Sequence, residues 1–390
     1  MKIQVITDTY APDINGVAMT LGRLCEGLRR RGHEVAITHT AARCSAGEER
    51  VFSLPLLGYP GVRLGLPKPF KMRMRWKQQP PDAIYVATES PLGKSAIKAA
   101  KVLGIPVITG FHTNFDQYME PYRLGGLKPL AMSYLRRFHR LANCTLVPTL
   151  EVKKRLTEEG FSNVHCLGRG VDTQLYSPAH RCDELRRSWG ADAQSPVAIM
   201  VGRVAAEKNF TLGIRTFQAL RHADPTTQCV VVGDGPLRKA LQEEHPWITF
   251  CGMREGMDLA RHYASADLLL FPTETETFGN VLLEGMASGL LTVSYDYAAS
   301  AAHVKDGING HKVPKGAAAL FVESAVRAIA DERAKSIREA ARETAESLSW
   351  EQIIEEFEGN FSRLTSPPPV QATEPPPRKK SMHASSTAAR

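Results

Sequence analysis

Two glutamates, Glu276 and Glu284, stand with seven residues between them in the run Glu274 to Gly289, ETETFGNVLLEGMASG. Glu276 falls on the loop after an apolar run that reads as a buried strand. Glu284 falls about one turn into the helix that follows, so both carboxylates face the strand's carboxyl end. The backbone N–H groups of Gly279, Asn280 and Val281 open that helix and attract anions. A carboxylate placed there can accept the hydroxyls of a sugar or a ribose. The plainer alternative is a pair of acids that only stabilise the helix dipole.

A second cluster, Gly202 to Asn209 (GRVAAEKN), follows another strand-like run. Arg203 and Lys208 on one loop can converge on a diphosphate, the guanidinium as a fork and the ammonium as a point charge. A solvated loop is the alternative. Gly233-Asp234-Gly235-Pro236 is a tight strand-to-helix turn without the spacing of a dinucleotide fingerprint, and no Walker A sequence occurs. Near the start, Gly16 opens a helix after the first strand, where a missing side chain lets a ligand approach the backbone. His112 stands just after the strand Pro106 to Phe111. A lone histidine is more often a packing residue, but a strand's carboxyl end is where ligands of parallel sheets bind.

The elements that must hold these residues alternate strand and helix twice over. Lys2–Thr7, Glu34–Thr40, Ala83–Thr88, Pro106–Phe111 and Cys144–Pro148 read as buried strands, with amphipathic helices between them. The pattern breaks near 171–178 and restarts with strands at 197–201, 228–232, 248–251, 268–271 and 292–295. Such alternation implies an α/β fold of two doubly wound parallel sheets facing a cleft. The boundaries read as 1–178 and 179–347. A last helix, 348–365, is expected to pack back toward the first domain. Residues 366–390, with six prolines, are expected to be disordered.

Composition narrows the class. The chain has 390 residues, 43% hydrophobic and 23% charged, which suits two globular domains. No apolar run is long enough to span a bilayer, and the N-terminus reads as a strand rather than a secretory signal. Seven scattered cysteines without a C-x-x-C pair suit free thiols in a reducing cytoplasm. No metal-ligand spacing is evident. The net charge of +8 is uneven: residues 1–180 carry 25 basic and 14 acidic side chains, and 181–365 carry 20 and 26. A basic front half suggests an anionic partner.

In order along the chain, these pieces have a family likeness. The chain resembles retaining glycosyltransferases of the two-domain GT-B type, in the large family 4 (GT4) marked by two glutamates seven residues apart. The resemblance covers Met1 to about Leu364. It rests on the Glu276/Glu284 frame, GRVAAEKN, VVGDGP, RGVDT at Arg169 to Thr173, and SWEQ near the end. TDTYAPDINGVAMTL, ATESPLGKSA, FHTNFDQY and YDYAAS look most like bacterial GDP-mannose-dependent α-mannosyltransferases and related glycolipid glycosyltransferases.

The resemblance implies that Gly16 sits beside the donor phosphates and His112 near the transferred sugar, and that Arg203 and Lys208 bind the diphosphate. Gly279 and Asn280 belong to the same anion-binding helix start. Glu276 would hold sugar hydroxyls, with Phe278 and Gly279 adding backbone amides. Glu284 would hold the ribose, and Gly252 and Met253 would lie against the base. No cofactor or metal is expected, because cationic side chains and a helix N-terminus can stabilise a leaving diphosphate. Mannose from GDP-mannose is the first donor, with UDP-glucose or UDP-glucuronate the alternative. Ala299-Ser300 stands where many relatives have paired glycines near the sugar. A non-catalytic sugar-nucleotide-binding protein and a sugar-nucleotide epimerase are the rivals, and the intact residue set disfavours the first. No nucleic-acid-binding module occurs.

Arg63 to Lys77 (RLGLPKPFKMRMRWK) carries basic residues and no acid. Phe70, Met72, Met74 and Trp76 alternate with Lys71, Arg73, Arg75 and Lys77. Alternation suits a strand, and a helix before Pro80-Pro81 is the other possibility. On either, basic groups and apolar tips could share an exposed rim and dock on an anionic membrane surface carrying a lipid or glycolipid acceptor. A cytoplasmic protein, peripheral on the inner leaflet, is the resulting expectation; Trp76 packed inside a solvated cationic segment is the competing one, and transfer to a soluble acceptor stays open.

Overall fold

The computed structural model describes residues 1–13, 15–41, 44–45, 47–55, 63–112 and 128–365. The tail 366–390 and most of FHTNFDQY lie outside the described residues. Two all-parallel sheets organise the chain. The first has seven strands in the order β3-β2-β1-β6-β7-β8-β9. They are β1 (Lys2–Ile6), β2 (Glu34–His39), β3 (Glu48–Arg50), β6 (Ala83–Val86), β7 (Val107–Gly110), β8 (Cys144–Val147) and β9 (Val164–Cys166). The short strands β4 (Ser53–Pro55) and β5 (Arg63–Gly65) form an antiparallel hairpin. The second sheet has six strands, ordered β12-β11-β10-β13-β14-β15: β10 (Val197–Val201), β11 (Gln228–Val232), β12 (Thr249–Gly252), β13 (Leu268–Phe271), β14 (Leu291–Tyr295) and β15 (His311–Val313). In each sheet the order of strand addition reverses at the centre, between β1 and β6 and between β10 and β13. Ligands of such sheets bind at that switch point.

Helices cover both faces because the central strands are apolar on both sides. Helix α1 (Gly16–Arg30) starts where the Asn15 side chain accepts hydrogen bonds from the Val17 and Ala18 N–H groups. It buries Leu21, Leu24 and Leu28 on the first sheet. Next come α2 (Pro69–Gln78), α3 (Pro91–Leu103), α4 (Lys128–His139) and α5 (Leu150–Glu158). The second sheet carries α6 (Asp183–Ser188), α7 (Phe210–Ala223), α8 (Arg238–Glu244), α9 (Gly256–Ala264), α10 (Asn280–Ala287), α11 (Ala299–His303), α12 (Ala318–Ala330) and α13 (Ala334–Glu346).

The last helix, α14 (Trp350–Thr365), leaves the second sheet and joins the core of the first. Its Ile354, Phe357 and Phe361 are buried with Leu21, Leu24, Leu28 and Tyr85. Ile354 occupies the space left by Gly27, where a Cβ would lie 2.2 Å from its Cδ1. Full burial of such side chains contributes roughly 1.5–3 kcal/mol each, enough to hold the crossing helix on the opposite sheet.

Candidate functional site

The carboxyl ends of β10, β11 and β13 carry the second sheet's loops. Gly202 and Gly233 both have positive φ, and a Cβ at Gly233 would lie 1.9 Å from the Gly202 carbonyl oxygen. Only glycine lets these two loops touch. Beyond Gly202, a short 3₁₀ turn, Ala206–Lys208, ends at Asn209 in the left-handed conformation, and Asn209 caps α7. This turn aims Lys208 at the loop after β13, where its Nζ pairs with Glu276 Oε1. The loop is pinned from several sides. Tyr297 Oη donates to the Glu276 carbonyl at 2.9 Å, and Asn209 Nδ2 donates to the Pro272 carbonyl at 3.3 Å. The Ala299 N–H donates to the Phe278 carbonyl at 2.8 Å. Gly279, with φ +100, then starts α10. Arg203 is half-exposed and lies 3.7 Å from the buried Glu207.

Glu284 lies on the same helix but faces inward. Its Oε2 accepts from Tyr263 Oη at 2.8 Å, and Tyr176 also hydrogen-bonds the carboxylate. Burial pushes this carboxyl up to about 7, against the downward pull of the two tyrosine hydroxyls. Nearby, Gly252 at the end of β12 has positive φ and faces the Arg238 guanidinium, while Met253 is exposed.

On the first sheet, Gly16 opens α1 beyond β1, and nothing stands within 4 Å of where its Cβ would be. His112 follows β7 and is buried. Its Nδ1 lies 2.8 Å from an Arg169 guanidinium nitrogen and its Nε2 2.7 Å from Tyr85 Oη. Burial first, then the charge of Arg169 and the neighbouring His139, holds its pKa well below the usual histidine range. The two sheets meet at a seam. Glu151, in the first turn of α5 beyond β8, accepts from the Ala298 N–H beyond β14 at 3.2 Å. Ala298 adopts φ +53, ψ −124, which is strained for a residue with a Cβ. Arg23 of α1 pairs at 2.7 Å with Asp172 of the chain connection. The carboxyl ends of both sheets therefore look onto one seam, with Arg203, Lys208 and Glu276 on one bank and Gly16 and His112 on the other.

Comparison with known proteins agrees with this layout. A family model described as Glycosyltransferase Family 4 matches residues 14–175, and one described as Glycosyl transferases group 1 matches 195–331. A GDP-mannose-dependent alpha-mannosyltransferase of Mycobacterium tuberculosis is 30% identical over 386 residues, covering 95% of this chain and 99% of that protein. The chain belongs to the family 4 glycosyltransferases. An alpha-monoglucosyldiacylglycerol synthase of Streptococcus pneumoniae is 27% identical, covering 76% of this chain and 71% of that protein. The crystal structure of Anabaena HepE in complex with UDP superposes with a TM-score of 0.74 at 19% identity, over 93% of this chain and all of that one. The fold is GT-B.

The basic segment of this glycosyltransferase differs from one part of the expectation. Its alternating part, from Pro69 on, is the helix α2 and not a strand; only Arg63–Gly65 is extended, as β5. With helical spacing, Met72 and Trp76 fall one turn apart on one face and pack toward α3 and the first core. Trp76 is only 3% exposed, so it is a core residue and not an apolar tip on the rim. Phe70 and Met74 occupy the outer face at 76% and 49% exposure. Lys71 and Arg75 both pair with Glu49, while Arg73 and Lys77 point to solvent. Among the described residues no helix is long and apolar enough to cross a membrane.

His39, Cys44 and Glu48 come close enough to suggest a metal cluster. The Ala41 N–H donates to His39 Nδ1 at 3.1 Å, however, so Nε2 carries the hydrogen and faces Glu48 at 3.4 Å. A protonated ring nitrogen is not a ligand.

Sequence reasoning did not single out Tyr85, Glu151, Arg169 as a contact of His112, Tyr176, Tyr263 or Tyr297. Tyr85, Glu151, Tyr176 and Tyr263 belong to none of the motifs, and Arg169 and Tyr297 entered only as members of RGVDT and YDYAAS. Tyr263 and Tyr176 are 21 or more residues from Glu284, and Tyr297 is 21 from Glu276. Only the position of Tyr297 in YDYAAS, two residues beyond the strand next to β13, hinted at contact with the site.

Proposed function

We propose that this glycosyltransferase is a retaining enzyme that transfers mannose from GDP-mannose to a lipid or glycolipid acceptor. The observation that carries the site assignment is the pairing of Lys208 with Glu276 beside the start of α10. A cation suited to a diphosphate and a carboxylate suited to sugar hydroxyls stand in contact, so one ligand with both groups can engage both. When donor enters, its diphosphate replaces Glu276 as the counter-ion of Lys208, and Glu276 turns to the hexose. Arg203 supplies a second cation, and the N–H groups of Gly279 and Asn280 a third source of positive potential. Gly16 leaves room for the phosphates against α1. Glu284 accepts ribose hydroxyls, and Gly252 and Met253 border the base. Phe278 holds the loop through its backbone. His112 walls the sugar side.

Cleavage of the sugar–phosphate bond moves negative charge onto the diphosphate. Fixed cations and helix N–H groups stabilise that charge without reorganising, which is commonly the largest catalytic term. No metal or other cofactor is required by this arrangement. Full-length similarity to a protein named for GDP-mannose supports the donor assignment, and similarity to one named for a glucosyldiacylglycerol product supports a lipid acceptor. The exposed Phe70 and Met74 beside Arg73 and Lys77 support peripheral docking on an anionic bilayer, at roughly 1 kcal/mol per basic group.

The test is parallel incubation with GDP-mannose, UDP-glucose and UDP-glucuronate in the presence of a bacterial lipid extract, with mass spectrometry of the lipids. A hexosylated lipid formed only with GDP-mannose is the expected result. Turnover of a UDP-sugar in preference to GDP-mannose overturns the donor assignment, and transfer only to soluble products overturns the acceptor.

A further inference from the structure

His112 is held by two side chains from distant parts of the chain. Arg169 comes from the segment linking the two sheets, and Tyr85 from the central strand β6. All three are buried. A guanidinium has hydrogens to give and no lone pair to offer. The nitrogen of Arg169 at 2.8 Å must therefore donate, and His112 Nδ1 must present its lone pair. The remaining ring hydrogen then sits on Nε2 and is donated to Tyr85 Oη at 2.7 Å. An imidazolium, with hydrogens on both nitrogens, does not fit this pair of partners.

The surroundings are built to keep this arrangement. Gly110 leaves the room it needs: a Cβ there would lie 2.2 Å from Tyr85 Oη and 2.4 Å from His112 Nε2. Tyr85 is backed edge-on by Phe357 of α14, with ring centres 4.9 Å apart. The other terminal nitrogen of Arg169, Nη1, donates to the Leu167 and Gly168 carbonyls at 3.3 and 3.1 Å. Among the described residues no carboxylate pairs with it. A buried guanidinium without an acid is costly to keep, and here it is spent on a histidine and two backbone oxygens. The next residue, Gly170, presses on the start of α14, where a Cβ would lie 2.6 Å from the Trp350 nitrogen. The linker, the last helix and the first sheet thus converge on one imidazole.

We propose that Arg169 is a positioning residue of the transfer reaction, which locks His112 as its Nε2–H tautomer with the ring held against Tyr85. The assignment rests on His112 bordering the transferred sugar. Neither ring nitrogen is then available to exchange protons with substrate. The ring acts as a fixed, uncharged wall, and its backbone at the end of β7 is held with it. A hexose placed against a ring that rotates loses alignment, and misplacement near 1 Å can cost about 10²-fold in rate.

The experiment reads His112 directly. The full-length protein with ¹⁵N-labelled imidazole is compared as wild type, Arg169→Met, Arg169→Lys and Tyr85→Phe, alongside GDP release from GDP-mannose with lipid acceptor. Wild type should show a lone-pair Nδ1 and a protonated Nε2 from pH 5.5 to 8.5. Arg169→Met should give a tautomer mixture and lower kcat by about 10-fold or more, with the donor KM changed less than 3-fold. Arg169→Lys should restore the tautomer and part of kcat, and Tyr85→Phe should keep the Nε2–H form. A wild-type ring protonated at Nδ1, or a tautomer that follows Tyr85 rather than Arg169, overturns the proposal even if Arg169→Met does not fold. Absence of GDP-mannose turnover with the expected spectra would instead fault the donor assignment alone.

Discussion

Changing Glu284 to Gln should stabilise the protein at alkaline pH while weakening donor binding. The carboxyl group is buried on α10, and its pKa rises from the ordinary 4.5 to about 7. A raised carboxyl pKa means the folded protein holds the proton more tightly than the unfolded chain. Its stabilising contribution is complete below pH 4.5 and is lost as pH rises through about 7. Each unit is 1.36 kcal/mol, so the full loss amounts to about 3 kcal/mol, and about 2 kcal/mol of it falls between pH 5.5 and 8. Glutamine keeps an oxygen for Tyr263 and Tyr176 but does not ionise. The difference in unfolding free energy between variant and wild type should therefore grow by about 2 kcal/mol across that interval. Urea unfolding followed by tryptophan fluorescence at pH 5.5, 6.5, 7.5 and 8 measures it. In the same variant the donor KM should rise about 10-fold or more, because an amide accepts the ribose hydroxyls less strongly than a carboxylate. A stability difference that is the same at all four pH values would refute the reasoning, since Glu284 would then titrate as an ordinary carboxyl.

Lys208→Ala and Glu276→Ala should each lower kcat/KM by roughly 10²-fold or more with the fold retained, and the double variant should lose less than the product because the two side chains act as a pair; steady-state kinetics with circular dichroism checks this. Activity should survive excess EDTA, and loss restored by Mg²⁺ or Mn²⁺ would contradict the role given to Arg203 and Lys208. Phe70→Ser with Met74→Ser, or Lys71, Arg73, Arg75 and Lys77 changed together to Gln, should reduce co-sedimentation with anionic vesicles several-fold at low salt. Unchanged binding by both variants would exclude α2 as the docking face.

The sequence by itself determined the two sheets, because the central strands are short, mostly apolar runs and amphipathic helices lie between them. The loops at the carboxyl ends were legible for the same reason: Gly202, Gly233 and Gly279 mark sharp turns, Arg203 and Lys208 follow Gly202 at short range, and Glu276 and Glu284 flank Gly279. Strands β3, β9 and β15 were not legible. Each is a three-residue edge strand, too short to carry a period, and forms only because a neighbour offers its hydrogen bonds. The alternation from Phe70 to Trp76 suited a strand as well as a helix, and packing decided it by burying Met72 and Trp76 together. Tertiary structure alone decided the surroundings of the functional groups. The tyrosines that surround the Glu284 carboxylate, the Tyr297 bond that holds Glu276, and the clasp of Tyr85 and Arg169 on His112 join residues from different strands and linkers. Local spacing carries no record of such contacts, because they arise only when the chain's own apolar surfaces bring those segments together.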